Sequence, residues 1–395
     1  MTDAPLVVHL TTTDMSLELL LGPQLEAFAA AGYRVVGVSA DGPFVPALRA
    51  RGIEHVALAH STRAMAPHRD VLAVAELARV VRRLRPAVLH THNPKPGLYG
   101  RIVGRALRVP AVINTVHGLY ALPEDRWAKR AVVYGLERIA AACSHAELVQ
   151  SPEDLDVLRR LRIPAERLTL LGNGVDLARF TPAHGDDGGR ARARRELGAE
   201  GDDEVVVGLV GRLVREKGYP EAFEAAASLA GRRPRLRVAV IGPDEPDKGD
   251  ALRPEDRARA EAAGVRFLGE RSDVERLYAG MDLFVLASHR EGFPRAAMEA
   301  AATGLPIVTT DVRGCRQVVD DGVTGLLVPP RDPVALAGAI AALADDPDRR
   351  AAMGAAARAK AEASFDQQTC IDRTLATYAR VLERAGVAHP TMSAS

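Results

Sequence analysis

Runs of mostly apolar residues punctuate the chain. Between them lie longer stretches in which apolar positions recur every three or four residues. In the first half the apolar runs fall at residues 6–10, 34–39, 54–58, 87–90, 111–115, 146–150 and 168–171, with helical patterns between them such as 17–31, 71–84 and 126–141. The second half repeats the scheme, with runs at 204–210, 237–241, 265–268, 283–286, 307–309 and 325–328. Alternation of this kind predicts an α/β fold of parallel sheets wrapped by helices, in two doubly wound domains. The polar stretch 181–203, with Gly185, Gly188 and Gly189 near its start, reads as the linker between a domain at 1–180 and another at 204–369. Two such domains would face each other across a cleft, and ligands in such sheets lie beyond the carboxyl ends of the strands.

A length of 395 residues exceeds what one core ordinarily serves, which agrees with two domains. The formal net charge of +1 excludes a globally basic nucleic-acid binder. Cys143, Cys315 and Cys370 are too far apart for a metal-ligand motif or a disulfide framework, so a reducing, cytoplasmic setting is expected. The N-terminus has no signal-peptide pattern, and no run of eighteen or more apolar residues occurs. Familiar phosphate and acyl-transfer signatures are missing. No Lys is followed by Ser or Thr as in a P-loop, Gly172-Asn173-Gly174-Val175-Asp176-Leu177 lacks the third glycine of a dinucleotide fingerprint, and there is no Gly-x-Ser-x-Gly elbow.

The chemistry therefore has to come from elsewhere. The stretch Glu291-Gly292-Phe293-Pro294-Arg295-Ala296-Ala297-Met298-Glu299 follows the apolar run at 283–286 and opens an Ala-rich helical pattern whose first turn suits Pro294. Unpaired amides at that helix start would form an anion site. Carboxylates at Glu291 and Glu299 could accept hydrogen bonds from hydroxyls on either side of a bound phosphate. Hydroxyls at both ends and phosphate in the middle describe a nucleotide sugar. Taken alone, the acidic pair reads equally as a surface helix with two solvated glutamates. Near the start of the second domain, Gly211 ends a strand, and Arg212 and Lys217 follow on the ligand-facing side. Arg212 could bind a diphosphate by its fork and Lys217, one of five lysines, as a point charge. An ordinary solvated turn is the alternative.

The order of these motifs resembles that of the retaining family 4 glycosyltransferases, whose GT-B fold pairs two Rossmann-like domains. Gly172-Asn173-Gly174-Val175-Asp176, Val265-Arg266-Phe267-Leu268-Gly269, Asp282 to Ser288 leading into Glu291, and Gly322 to Val328 carry the same likeness. The resemblance implies that Glu291 contacts the transferred sugar and Glu299 the ribose. It implies that Gly211, Arg212 and Lys217 hold the diphosphate with the backbone at Gly292, Phe293 and Pro294, and that Phe267 and Leu268 line the base pocket. Cations at the leaving group are where negative charge grows, while the carboxylates should meet hydroxyls rather than phosphate. The resemblance also implies a C-terminal helix, near 370–388, that returns to the first domain.

In the first domain, His117 follows the run at 111–115, and family members similarly place a His there, near the transferred sugar; a hydrogen-bonded structural role is the alternative. Thr13, Ser16, His92 and Asn173 are the candidates on the acceptor or cleft side. The first loop, Thr11 to Ser16, lacks the Gly-Gly pair that many members carry, so either the Thr13 and Ser16 hydroxyls would replace a close backbone approach there or the loop would serve mainly the acceptor. His90 and His92 could suggest a metal, but no acidic or Cys partner is near in sequence, and no metal is expected. Asp154 and Asp156 imitate an Asp-x-Asp metal motif but read as an exposed helix start. Residues 61–130 hold thirteen Lys or Arg against four Asp or Glu, with Arg101, Arg105 and Arg108 at helical spacing and Trp127 between Arg126 and Lys129. Either a solvated helix face or contact with an anionic membrane surface follows.

These features together imply transfer of a hexose or N-acetylhexosamine from a nucleotide diphosphate sugar, UDP by preference, to an acceptor hydroxyl, without metal or other cofactor. The sequence Val116-His117-Gly118-Leu119 resembles the members that build bacterial surface polysaccharide on lipid-linked acceptors. Two other readings share the fold: a UDP-sugar 2-epimerase, which would equilibrate the sugar without acceptor, and a non-catalytic nucleotide-sugar-binding protein.

Overall fold

The structure is a computed structural model, and it describes residues 4–62, 66–92, 94–121, 125–182, 188–246 and 248–390. The chain divides into two compact units. One comprises residues up to Gly172 and from Thr369 onward, and the other runs from Asn173 to Gln368.

The first unit holds seven strands, β1 (Leu6–Thr13), β2 (Arg34–Ala40), β3 (Glu54–Ala57), β4 (Val88–His92), β5 (Ala111–Val116), β6 (Ala146–Val149) and β7 (Leu168–Leu170). They form one sheet in the order β3-β2-β1-β4-β5-β6-β7, every pair parallel. The central strands are buried on both faces, as the continuous apolar runs predict. On one face, Leu17, Leu25 and Phe28 pack with Leu375, Tyr378 and Leu382 of the helix Gln367–Arg384. On the other, Leu77 and Val81 of Pro67–Leu84 and Val103 of Pro94–Ala106 cover Val8, Val36 and Leu89.

The second unit adds β8 (Val205–Val210), β9 (Leu236–Ile241), β10 (Val265–Phe267), β11 (Leu283–Leu286), β12 (Ile307–Thr310) and β13 (Gly325–Val328), in the parallel order β10-β9-β8-β11-β12-β13. In each sheet the order reverses once, between β1 and β4 and between β8 and β11. Strands diverge to opposite sides there, and their carboxyl ends leave a crevice.

The boundary lies elsewhere than the polar stretch suggests. Residues 183–187 are outside the described residues, but 188–203 belong to the second unit: helix Gly189–Glu196 sends Arg194 to Asp282 at 2.7 Å, and Leu197 and Ala199 enter the core. Arginine spacing on that helix looks like solvated surface in sequence, and only the fold supplies Asp282 as a partner. Val175, read as first-domain sequence, pairs with Asp366 inside the second unit.

Candidate functional site

In the second unit, the loops after β8 and β11 are locked together at the point of strand reversal. Gly218 has φ +71°, and a Cβ there would sit 1.9 Å from the carbonyl oxygen of Ala287, so only glycine lets the turn Arg215–Lys217 lie against the end of β11. The His289 amide donates to the Glu216 carbonyl at 2.8 Å, and Thr310 Oγ1 donates to the Ser288 carbonyl at 2.5 Å. This seating puts Lys217 Nζ 2.6 Å from Glu291 Oε1, where Ser288 Oγ also donates at 2.6 Å. Both contacts use one oxygen, so Oε2 of Glu291 has no protein partner among the described residues. Gly314 closes the other side; a Cβ on it would strike the carbonyls of Glu291 and Gly292 at 2.6 and 2.7 Å.

The next helix spans Arg295–Ala302, with Pro294 at its N-cap rather than in its first turn, and no side chain caps its first amides. Those amides are ready-made donors for an anion. Glu299, on the inner face, is buried. It accepts from Arg295 Nε at 3.0 Å and from the Tyr278 hydroxyl at 3.2 Å. Burial pushes its carboxyl above the usual range, against the pull of Arg295. Phe293 anchors the loop by an edge-on contact with Phe365, ring centres 5.9 Å apart.

The expected donor residues do not all converge. Lys217 and Glu291 meet as an ion pair, whereas Arg212 leans toward Glu245 at 3.5 Å, a separate carboxylate. Leu268 packs on the same cluster as Phe293. Phe267 points to the opposite face, edge-on to Phe223 with ring centres 5.6 Å apart, under the Arg257 guanidinium at 4.6 Å. Adjacent strand residues alternate faces, so Phe267 and Leu268 cannot line one pocket with their side chains. Asn173 folds its Oδ1 onto the Gly174 amide at 3.0 Å and begins the second unit, whereas Thr13, Ser16, His92 and His117 belong to the first.

In the first unit, strand pairing assembles a histidine cluster. His9 on β1 is in register with His90 on β4, and His92 lies two residues on, on the same face. His9 Nδ1 is 3.1 Å from His92 Nε2, and His92 Nδ1 is 3.0 Å from His117 Nε2. The Tyr378 hydroxyl bridges His90 Nδ1 at 2.6 Å and His9 Nε2 at 3.3 Å, and His90 Nε2 meets Thr115 Oγ1 at 2.8 Å. His9, His90 and His92 are buried, and His117 is partly so. Loss of hydration drives His9 down to about 3 and His117 to about 4, and holds His90 and His92 well below the ordinary value. All four rings are therefore neutral at physiological pH. Nitrogens of His9, His90 and His92 lie within 4.8 Å of one another, close enough for a shared cation, but the nitrogens are already paired with each other, with Tyr378 and with Thr115. Sequence separation hid this: His9 shows only as a polar residue in an apolar run, and Tyr378 reads as one more apolar helix position.

Two surface readings need correction. Asp154 is not at an exposed helix start; it is buried and accepts from the Leu119 amide at 3.3 Å, pinning the loop after His117. Arg101 is buried rather than part of a basic face, and it pairs with Glu137 at 2.7 Å and Glu147 at 2.8 Å. Both partners are far away in sequence. Thr13 closes β1 and Ser16 opens the π-helical turn Ser16–Leu21, the intervening Asp14 accepting from the Phe44 amide at 2.7 Å. This loop is shaped by a buried carboxylate rather than by glycine.

Comparison with known proteins follows the same division. Residues 24–179 match the family model described as Glycosyltransferase Family 4, and residues 190–360 match Glycosyl transferases group 1. The chain is 27% identical over 372 residues to the capsular polysaccharide biosynthesis glycosyltransferase CapM of Staphylococcus aureus, covering 92% of this chain and 93% of that one. It is 34% identical to a D-inositol 3-phosphate glycosyltransferase of Geodermatophilus obscurus (76% and 68% covered). It is 28% identical to the UDP-Gal:alpha-D-GlcNAc-diphosphoundecaprenol alpha-1,3-galactosyltransferase of Escherichia coli (70% and 71% covered). Among solved structures, Anabaena Alr3699/HepE in complex with UDP superposes with a TM-score of 0.78 at 21% identity, covering 95% of this chain and all of that one.

Proposed function

Because this chain belongs to the family 4 glycosyltransferases of the GT-B fold, we propose that its donor is a UDP-sugar, that transfer retains the anomeric configuration, and that the acceptor is a lipid-linked glycan. The observation that carries the donor reading is the Lys217–Glu291–Ser288 cluster beside the uncapped start of Arg295–Ala302. A diphosphate placed on those amides takes Lys217 as counter-ion, with Arg212 available from the neighbouring loop. Drawing Lys217 to phosphate releases Glu291 to accept from sugar hydroxyls, while Glu299, fixed by Arg295 and Tyr278, accepts from ribose. The acceptor oxygen attacks the anomeric carbon as the bond to phosphate breaks, and the acceptor proton passes to the departing phosphate oxygen. No protein nucleophile is required. The positive charges and amides meet the charge that develops on the leaving group, so no metal is needed. His117 contributes a neutral ring, suited to hydrogen bonding rather than to charge. UDP is favoured by the E. coli relative's own donor and by the nucleotide bound to the Anabaena protein.

A lipid-linked acceptor is favoured by the same E. coli relative and by a surface of the first unit. Helix Trp127–Cys143 exposes Val132, Leu136 and Ile139 along one side, and Trp127 at its start is 79% exposed. An apolar stripe flanked by Arg126, Lys129, Arg130 and Arg138 suits an anionic bilayer surface. No helix among the described residues is long and apolar enough to cross a membrane.

The test is a nucleotide-sugar screen by thermal shift, followed by transfer to a diphospholipid-linked sugar with product stereochemistry read by NMR. UDP-sugars should raise the melting point, and transfer should persist in EDTA. Stabilisation by GDP-sugars alone, an inverted product or strict metal dependence would each overturn the corresponding part. Sedimentation with anionic vesicles, abolished by Trp127→Ser with Ile139→Ser, tests the surface; equal binding by the variant would refute it.

A further inference from the structure

The histidine cluster has a property that no single contact reveals. A neutral imidazole carries one proton on two nitrogens, so each ring can donate on one side only. Each nitrogen–nitrogen contact needs one proton between its two atoms. If His9 donates from Nδ1 to His92 Nε2, then His92 must carry its proton on Nδ1 and donate to His117 Nε2, which puts the His117 proton on Nδ1 as well. His9 Nε2 is then bare and accepts from Tyr378. The phenol, having donated, accepts from His90 Nδ1, whose other nitrogen accepts from Thr115. Reversing the first bond reverses them all, and every proton moves to Nε2. A mixed pattern leaves a buried polar atom without a partner.

We propose that His9, His90, His92 and His117, joined through Tyr378 and ended by Thr115, form a hydrogen-bond relay in which all four rings hold one and the same tautomer. The tautomer of His117 is thereby tied to that of the groups buried behind it. His117 has only Nδ1 left over for a partner outside the relay, and the Gln150 side chain hydrogen-bonds this ring. Tyr378, on helix Gln367–Arg384, joins His90 to the other three rings, so residues from the far end of the chain help to set the state of a loop after β5. His9, His90, His92 and Tyr378 are positioning residues, acting through His117. Their bearing on sugar transfer rests on the transferase reading above, whereas the relay itself does not. A cation shared by His9, His90 and His92 is the competing use of the cluster, but each ring has one lone pair and the relay already consumes it.

The experiment is long-range proton–nitrogen NMR on the full chain labelled with 15N-histidine, which distinguishes a protonated from a bare ring nitrogen. The four rings should be neutral at neutral pH and share one tautomer. In Tyr378→Phe, the His90 Nδ1 and His9 Nε2 resonances should shift as each loses its partner, while His9, His92 and His117 still match one another. Thr115→Val supplies a second variant, moving His90 Nε2, should the first not fold. Opposite tautomers within the His9–His92–His117 run, a charged ring, or unchanged His9 and His90 nitrogens in Tyr378→Phe would overturn the relay. So would stoichiometric Zn2+ capturing all three buried rings. Turnover of Tyr378→Phe should fall with donor KM unchanged. Unchanged turnover alongside the predicted spectra would remove the link to transfer and leave the relay standing.

Discussion

Acidification should unfold the first unit far earlier than its carboxylates alone would. In the native chain His9 takes up a proton only near pH 3, whereas in the unfolded chain it does so near its ordinary value of about 6.5. His90 and His92 are held down in the same way. Below about pH 6.5 the unfolded state therefore binds protons that the native state refuses, and stability falls as pH falls until the native rings themselves titrate. Each pKa unit is worth about 1.4 kcal/mol, so going from about pH 7 to about pH 5 costs about 2 kcal/mol for His9. His90, His92 and His117 add to this loss in the same direction. His9 alone thus removes a sizeable share of the stability of a typical domain, about 5–15 kcal/mol. Urea unfolding followed by far-ultraviolet circular dichroism over this pH range reads the loss. His9→Gln, which keeps a polar group without a titrating ring, should remove about 2 kcal/mol of the pH dependence. A stability that stays flat between about pH 7 and 5, or an undiminished slope in His9→Gln, would refute the buried neutral cluster.

Other predictions concern the second unit and the chain's return. Glu299→Ala should weaken binding of free UDP, because ribose is common to nucleotide and donor, while Glu291→Ala should spare UDP and impair transfer; equal losses of UDP affinity by calorimetry would sink that division. Gly218→Ala forces a strained backbone and a collision with the Ala287 carbonyl, and should destabilise the second unit by about 2 kcal/mol or more; a melting curve like the wild type's would contradict it. Ending the chain at Ser364 removes Tyr378, Leu375 and Leu382 from the first core and should expose its amides to rapid hydrogen exchange, and native-like protection there would show that the helix is dispensable.

The sequence by itself determined the architecture and the family. Parallel sheets announce themselves because both faces of their strands are buried, which leaves apolar runs that need no partner to be recognised. The shape of the segment leading into the helix Arg295–Ala302 was legible for a similar reason: a strand, a turn and a helix start are local and lie within a few consecutive residues. Arg212 and Lys217 were legible as cations at a strand end, but not in their partners. Sequence could not say that Lys217 would meet Glu291 while Arg212 turned to Glu245, because ion pairs depend on which loops the strand order brings together.

Tertiary structure alone decided the rest. Arg101 and Asp154 look like surface charge until Glu147 and the Leu119 amide appear beside them. The boundary between units moved because the 188–203 segment finds Asp282 and a place in the second core. Phe267 left the proposed base pocket because a strand turns neighbouring side chains to opposite faces, and register fixes which one faces the ligand side. The histidine relay needs β1 against β4, β5 beside them and a helix from residue 367 onward laid over all three. Those distances come from closing long loops, and the periodicity of nearby residues carries no information about them.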